Sequence, residues 1–190
     1  MMTADRPAVR QYPWTTSVHD RAVTLRLMTP QDKDALLEFV RSLPEDDLLF
    51  LSIDLTRPEA VEQWVRYIST GRITTVLLEH EGKLMGHGSL GHNELVWTRH
   101  LGEIQLLVSP KLRGLGMGAL LANEVFDLAR QLGLRKIVAR MAAEQKGALQ
   151  VFERLGFRPE ALLADYVIDR EGRTHDLIVM SYDVTGLTLE

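Results

Sequence analysis

The residues best suited to do chemistry lie in one contiguous run, Glu103-Ile-Gln-Leu-Leu-Val-Ser-Pro-Lys-Leu-Arg113-Gly114-Leu115-Gly116-Met117-Gly118. An apolar strand breaks at Ser109-Pro110, passes through three alternating glycines, and opens a helical pattern carrying Leu121, Val125, Leu128 and Leu132 on one stripe. Such a corner presents bare backbone N–H groups and the positive end of a helix to an anion. A side chain at a glycine position there would hold the ligand away from the amides. The chemistry implied is a pyrophosphate cradle.

Three kinds of cradle are separable by the residues downstream of the glycines. An NTPase phosphate loop needs Lys-Ser or Lys-Thr, whereas Gly118 is followed by Ala119-Leu120. A dinucleotide fingerprint needs G-x-G-x-x-G and a carboxylate about 20 residues on. This chain has G-x-G-x-G, and its next strand ends in Ala139-Arg140. The remaining option is Arg113-x-x-Gly116-x-Gly118 preceded by Val108-x-Pro110, which resembles the coenzyme A-binding motif of the GNAT superfamily of N-acetyltransferases.

The elements that must position this corner come from the rest of the 190 residues, of which 45% are hydrophobic and 25% charged, an ordinary globular composition for one domain. The net charge of −4 argues against nucleic acid as the main partner. Cysteine is absent, which removes thiolate nucleophiles and cysteine metal sites. No apolar run has the length of a membrane span and no secretory signal is visible, so a cytoplasmic location is expected. Residues 1–20 contain Pro7 and Pro13 without sustained periodicity and read as an arm, draped on the body through Tyr12 and Trp14. A domain over 21–185 succeeds it. Val23–Met28 is its first strand, Thr29-Pro30-Gln31-Asp32 and Arg57-Pro58-Glu59 start two helices, and Ile73–Glu79 and Leu84–Leu90 form a hairpin. Glu103–Val108, the glycine turn and a helix to Leu132 come next. The chain then gives a strand at Lys136–Met141, a helix at Gln145–Leu155, and strands near Leu162–Asp169 and Asp176–Asp183.

This order, β-α-α-β-β-β-α-β-α-β-β, predicts an α/β domain with a single mixed, mostly antiparallel central sheet of about seven strands and helices on both faces. It is also the order of the GNAT fold. Phe152-Glu-Arg-Leu-Gly156-Phe157 is similar to the family's aromatic-Glu-Lys-x-Gly-Phe segment, so the resemblance spans about residues 23–183. The opening Leu25–Asp32 and the late Asp169–Leu177 are weakly similar to bacterial protein-lysine acetyltransferases of this family.

The resemblance implies transfer of an acetyl group from acetyl-coenzyme A, as cosubstrate and without a metal, to a primary amine of a protein or small molecule. It implies a bulged strand before the glycine turn that splays from its neighbour, with backbone groups of Leu106, Leu107 and Val108 on the pantetheine arm or thioester. Amides from Gly114, Leu115, Gly116, Met117, Gly118 and Ala119 would hold the pyrophosphate, leaving the side chains of Leu115 and Met117 free. Arg113 would add a contact to phosphate. Glu103 stands where many members carry a catalytic glutamate. It is the expected general base, since an amine with a pKa of ~10.4 must shed a proton at neutral pH. Period-2 alternation groups Glu103, Gln105 and Leu107 on one face of the strand until the bulge intervenes. Gln145 replaces a frequent asparagine and can still bond the pantetheine amide. Phe152 replaces a frequent tyrosine, so it packs beside the coenzyme and donates no proton to the thiolate; Tyr166 and His175 are donors without a motif behind them. That replacement keeps a second reading open, an acyl-coenzyme A-binding sensor or partner subunit with little turnover.

Other groupings carry less. His87, His92 and His100 match no metal-ligand spacing and are placed on different elements. Ser89, His87 and Glu103 lack the nucleophile elbow of a hydrolase. The segments Ser42–Arg57, Gly91–His100 and Tyr166–His175 are where acceptor specificity is expected, with Glu45-Asp46-Asp47 available to a cationic amine. A homodimer is compatible with this reading.

Overall fold

The computed structural model describes residues 11–48, 51, 53–93 and 96–184. The arm's first ten residues, Leu49, Phe50 and Ser52, Glu94 and Leu95, and the last six residues lie outside that description.

Eight strands form one sheet in the order β1-β2-β3-β4-β5-β6-β8-β7. They are β1 (Trp14–Val18), β2 (Arg21–Leu27), β3 (Ile73–His80), β4 (Lys83–His92), β5 (Leu101–Val108), β6 (Lys136–Ala142), β7 (Arg158–Ile168) and β8 (Thr174–Asp183). The helices are α1 (Lys33–Arg41), α2 (Glu45–Leu48), α3 (Pro58–Ser69), α4 (Met117–Gln131) and α5 (Lys146–Arg154). The sheet is therefore the mixed α/β sheet expected, with one more strand. Trp14–Val18, part of the expected arm, pairs antiparallel with β2 as the edge strand. Tyr12 Oη donates to Glu124 Oε2 at 2.6 Å and Trp14 Nε1 at 3.3 Å, so this segment meets a buried carboxylate of α4.

Two cores flank the sheet. On one face Leu121, Val125, Phe126 and Ala129 of α4 pack with Phe152 and Phe157 against β4, β5 and β6. On the other, Leu36, Phe39 and Val40 of α1 meet Val61 and Trp64 of α3 over Leu77 and Leu107. Glycine permits the close seat of α4: a Cβ on Gly88 would stand 3.2 Å from the Leu121 carbonyl oxygen. This seat places the start of α4 at the end of β5.

The β5–β6 pair is the parallel one, and it is short. Leu101, Gly102 and Glu103 face Lys136, Ile137 and Val138, after which β6 continues with β8 while β5 continues with β4. The sheet forks there. The expected bulge is not what opens it. β5 keeps unbroken register with β4 from Gly102 to Val108, and its alternation persists, with Leu107 in one core and Ile104, Leu106 and Val108 on the other. The fork arises because β6 leaves with β8.

Candidate active site

The fork opens into a cleft of about 840 Å³. Its floor is the face of β3, β4 and β5 turned toward α3, and register sets three rungs across it: Ile73–Gly91–Glu103, Thr75–Ser89–Gln105 and Leu77–His87–Leu107. Directly opposed residues share a face, so Glu103 and Gln105 project with this polar row as the sequence alternation required. Arg140 and Met141 of β6, Gln145 at the N-cap of α5 and Phe152 of α5 form the near wall. Asp47, Ile53 and Trp64 stand opposite, with Tyr166 and Ile168 of β7 closing the side.

Beneath the floor runs a buried polar chain. Trp64 Nε1 donates to Thr75 Oγ1 at 3.2 Å, Thr75 Oγ1 lies 3.0 Å from Ser89 Oγ, and Ser89 Oγ lies 3.1 Å from His87 Nδ1. Burial pushes the His87 imidazole down to about 4, so the ring is neutral at pH 7. At the mouth, Arg140 Nη1 donates to Glu103 Oε2 at 3.1 Å across the fork. Glu103 Oε1 takes no hydrogen bond from a described residue.

Past the end of β5, Gly116 is the left-handed N-cap of α4 at φ 77°, a conformation costly for other residues. No side chain caps α4 and no acidic residue lies in its first turn, so its leading amides keep their anion-binding capacity. Gly118 is the informative glycine. It lies in the first helical turn without positive φ, and a Cβ there would meet nothing within 4 Å. Alanine would serve the helix better by ~1 kcal/mol, so folding does not ask for glycine at that position. A ligand drawn close to the backbone would ask for it.

Residues 37–157 match the sequence profile of the acetyltransferase (GNAT) family. The chain belongs to the GNAT family. It is 22% identical over 170 residues to a putative phosphinothricin acetyltransferase, YwnH, of Bacillus subtilis, covering 86% of this chain and 100% of that one. A ribosomal-protein-alanine N-acetyltransferase from Brucella melitensis superposes with a TM-score of 0.72 at 24% identity, over 84% of this chain and 98% of that one. The putative acetyltransferase yncA from Salmonella typhimurium, solved with acetyl-CoA, superposes with a TM-score of 0.73 at 21% identity, over 88% and 97%. This GNAT member is thus an acyltransferase of a family that uses acetyl-CoA and amine acceptors.

The GNAT cleft gathers some of the residues expected from sequence and leaves others aside. Glu103, Leu106, Leu107, Gln145 and Phe152 share its wall. Val108 and the turn from Arg113 to Ala119 lie beyond it, and Asp47 of the cleft wall pairs with Arg113. Arg113 Nε also donates to the Val108 carbonyl at 3.3 Å, so the guanidinium is turned back onto the protein. Met117 is buried in the α4 core and Leu115 packs against it, so neither side chain is free; both anchor the turn instead. Gln145 Oε1 accepts the Ala142 amide at 3.0 Å, which leaves its NH₂ as the donor. Phe152 is buried against Phe157 with ring centroids 5.0 Å apart, beside Ala148.

Two of the three residues in the acidic run are paired. Glu45 and Asp54 pair with Arg170 at 3.3 and 3.4 Å, and Asp47 with Arg113. Arg170 comes just after the β7 residues of the cleft wall, so this ion pair joins two walls that are more than a hundred residues apart in sequence. His175 sits outside the cleft, between Asp169 Oδ2 at 2.9 Å and Glu144 Oε1 at 3.1 Å, and these carboxylates raise its imidazole above the ordinary histidine value. Tyr166 is exposed on the cleft wall. His87 and His92 turn out to share β4, which runs further than its apolar pattern, yet odd spacing puts them on opposite faces. Ser89 does meet His87, but Glu103 turns to Arg140 and not to that ring. Sequence reasoning missed Arg140, Tyr67 and Arg72 as cleft residues, since nothing in their spacing marks them.

Proposed function

We propose that the chain transfers the acetyl group of acetyl-CoA to a primary amine by direct attack, with Glu103 as general base. The observation that carries this is the fork after the Glu103–Val138 rung, which puts a half-exposed carboxylate at the head of a cleft whose strand leads to an uncapped helix start. The amides from Gly114 to Ala119 hold the pyrophosphate, and the unpaired edge of Leu106, Leu107 and Val108 takes the pantetheine arm. Acetyl-CoA supplies an acyl group on a good leaving thiolate. Arg113 joins the phosphates by exchanging Asp47 for them, an exchange that costs little because an ion pair of this exposure is worth ~0–1 kcal/mol. Arg140 holds one oxygen of Glu103, leaving the other to take the proton of the attacking amine. Phe152 contributes packing and no proton, so the thiolate is protonated from solvent.

The test combines two measurements. Calorimetric titration with acetyl-CoA shows binding, and thiol release is followed with phosphinothricin, spermidine and an alanine-initiated peptide as acceptors. Acceptor-dependent release that falls ~10²–10⁴-fold in Glu103→Gln, with acetyl-CoA affinity unchanged, supports the base. Binding without release in any arm supports the acyl-CoA-binding module that Phe152 motivates.

A further inference from the structure

Gln105 is two residues along β5 from Glu103, on the same face, and in the stretch of β5 that β6 does not pair. It belongs to the cleft wall. Its Nε2 is buried and finds no hydrogen-bond partner among the described residues. The residue directly across the ladder does not serve it. Ser89 opposes Gln105 in register, but its hydroxyl is shared between Thr75 at 3.0 Å and His87 Nδ1 at 3.1 Å. Gln105 takes no part in the polar chain of the floor.

An unsatisfied buried amide costs ~1–3 kcal/mol, and native structures rarely keep one without a use. Methionine has nearly the same shape and would avoid that cost. The one other orphaned side-chain atom of this kind among the described residues, His87 Nε2, sits below, with its ring against Phe39 and Trp64, and is not on the cleft wall. The two cases differ: Gln105 belongs to the wall of the cleft where chemistry is proposed, and His87 does not.

An N–H donor has nothing to offer an attacking amine whose lone pair is committed to carbon. It suits an oxygen that gains negative charge. We propose that Gln105 Nε2 is a catalytic hydrogen-bond donor to the acetyl carbonyl oxygen, an inference that rests on the cleft being the acetyl-CoA and amine site proposed above. The amine lone pair forms the N–C bond while the carbonyl π pair moves onto oxygen, where Gln105 donates. The pair returns as the C–S bond breaks and its electrons leave on sulfur. Glu103 takes the proton from nitrogen.

The test uses Gln105→Met in the full chain, with [1-¹³C]acetyl-CoA as probe. Bound to the native protein, the labelled carbonyl should stretch at lower frequency than when bound to Gln105→Met. Turnover with the best acceptor of the amine panel should fall ~10²–10³-fold, the loss typical of one such donor. Acetyl-CoA affinity and amine KM should hold, and the melting temperature should stay or rise. An identical carbonyl frequency in both proteins overturns the inference, whether or not an acceptor has been found. So does a fall in melting temperature that accompanies the activity loss, because the amide would then be serving an enclosed water or packing beside His87. Failure of the native protein to bind acetyl-CoA removes the reading of the cleft itself; binding with an unmoved carbonyl removes the role of Gln105 alone.

Discussion

The cleft and the corner beyond the end of β5 are built in opposite ways. The β5–turn–α4 corner is contiguous, its proposed working groups are backbone amides, and its side chains at Leu112 and Met117 are sunk in the core. The proposed acceptor side is assembled from α2, α3, β6 and the β7–β8 hairpin, and its walls are tied by solvent-screened ion pairs such as Arg170 with Glu45 and Asp54. A backbone device locked into a core tolerates little change. A wall of side chains joined by screened charges can be rebuilt one residue at a time, which suits the part of an enzyme that chooses its acceptor.

Three experiments would sharpen or break that contrast. The largest effect expected concerns the floor against the hairpin. His87 is held near 4 when folded and titrates near 6.5 when unfolded, so below pH 6.5 the unfolded chain binds the extra proton. Stability should fall by about 3 kcal/mol as pH drops from 6.5 to 4, and denaturant midpoints should show His87→Met flattening that slope. His175 has the opposite sign. Its raised value means that its pairs with Asp169 and Glu144 stabilise fully below about pH 6.5, and that this is lost as pH rises through the folded value. His175→Gln should flatten only the alkaline side of the melting curve. One slope governing both would mean that floor and hairpin are not separate regions.

Next comes the cradle. Gly118→Ala adds a Cβ that meets nothing within 4 Å in the protein, so melting should not suffer. Titration should show acetyl-CoA bound at least tenfold more weakly, about 1.4 kcal/mol. A destabilised protein with intact affinity would make Gly118 a folding device. The smallest effect belongs to the far wall. Arg170→Ala removes an exposed ion pair worth ~0–1 kcal/mol, so amine KM should move a few-fold and lose its salt dependence while acetyl-CoA affinity stays. A large loss of that affinity would tie the strap to the cradle.

Legibility from sequence obeys the same division. Strand–glycine–helix order marks the corner because each of its functions needs a local residue type in a local place. Phe152 was recognisable in its segment, and Glu103 by its place on the motif strand. Arg140 was invisible as a cleft residue, because its position beside Glu103, 37 residues away in sequence, depends on the parallel pairing of β5 with β6. Gln105 stood out only as a member of an alternating face; that Ser89 opposite it is already occupied requires the register of three strands. The edge strand Trp14–Val18 was missed since its exposure alternates on a sheet margin with few apolar residues to reveal it. The fork was expected from a bulge and instead comes from the partnership of β6 with β8, a choice made by β8 far down the chain.

The contact of Tyr12 and Trp14 with Glu124 bears on how this protein is best handled at the bench. A recombinant version trimmed to begin at residue 21 would strip a carboxylate sealed inside α4 of two of its donors, and would also bare the margin of β2. Expression vectors should therefore start upstream of Tyr12, and purification tags belong on the opposite terminus.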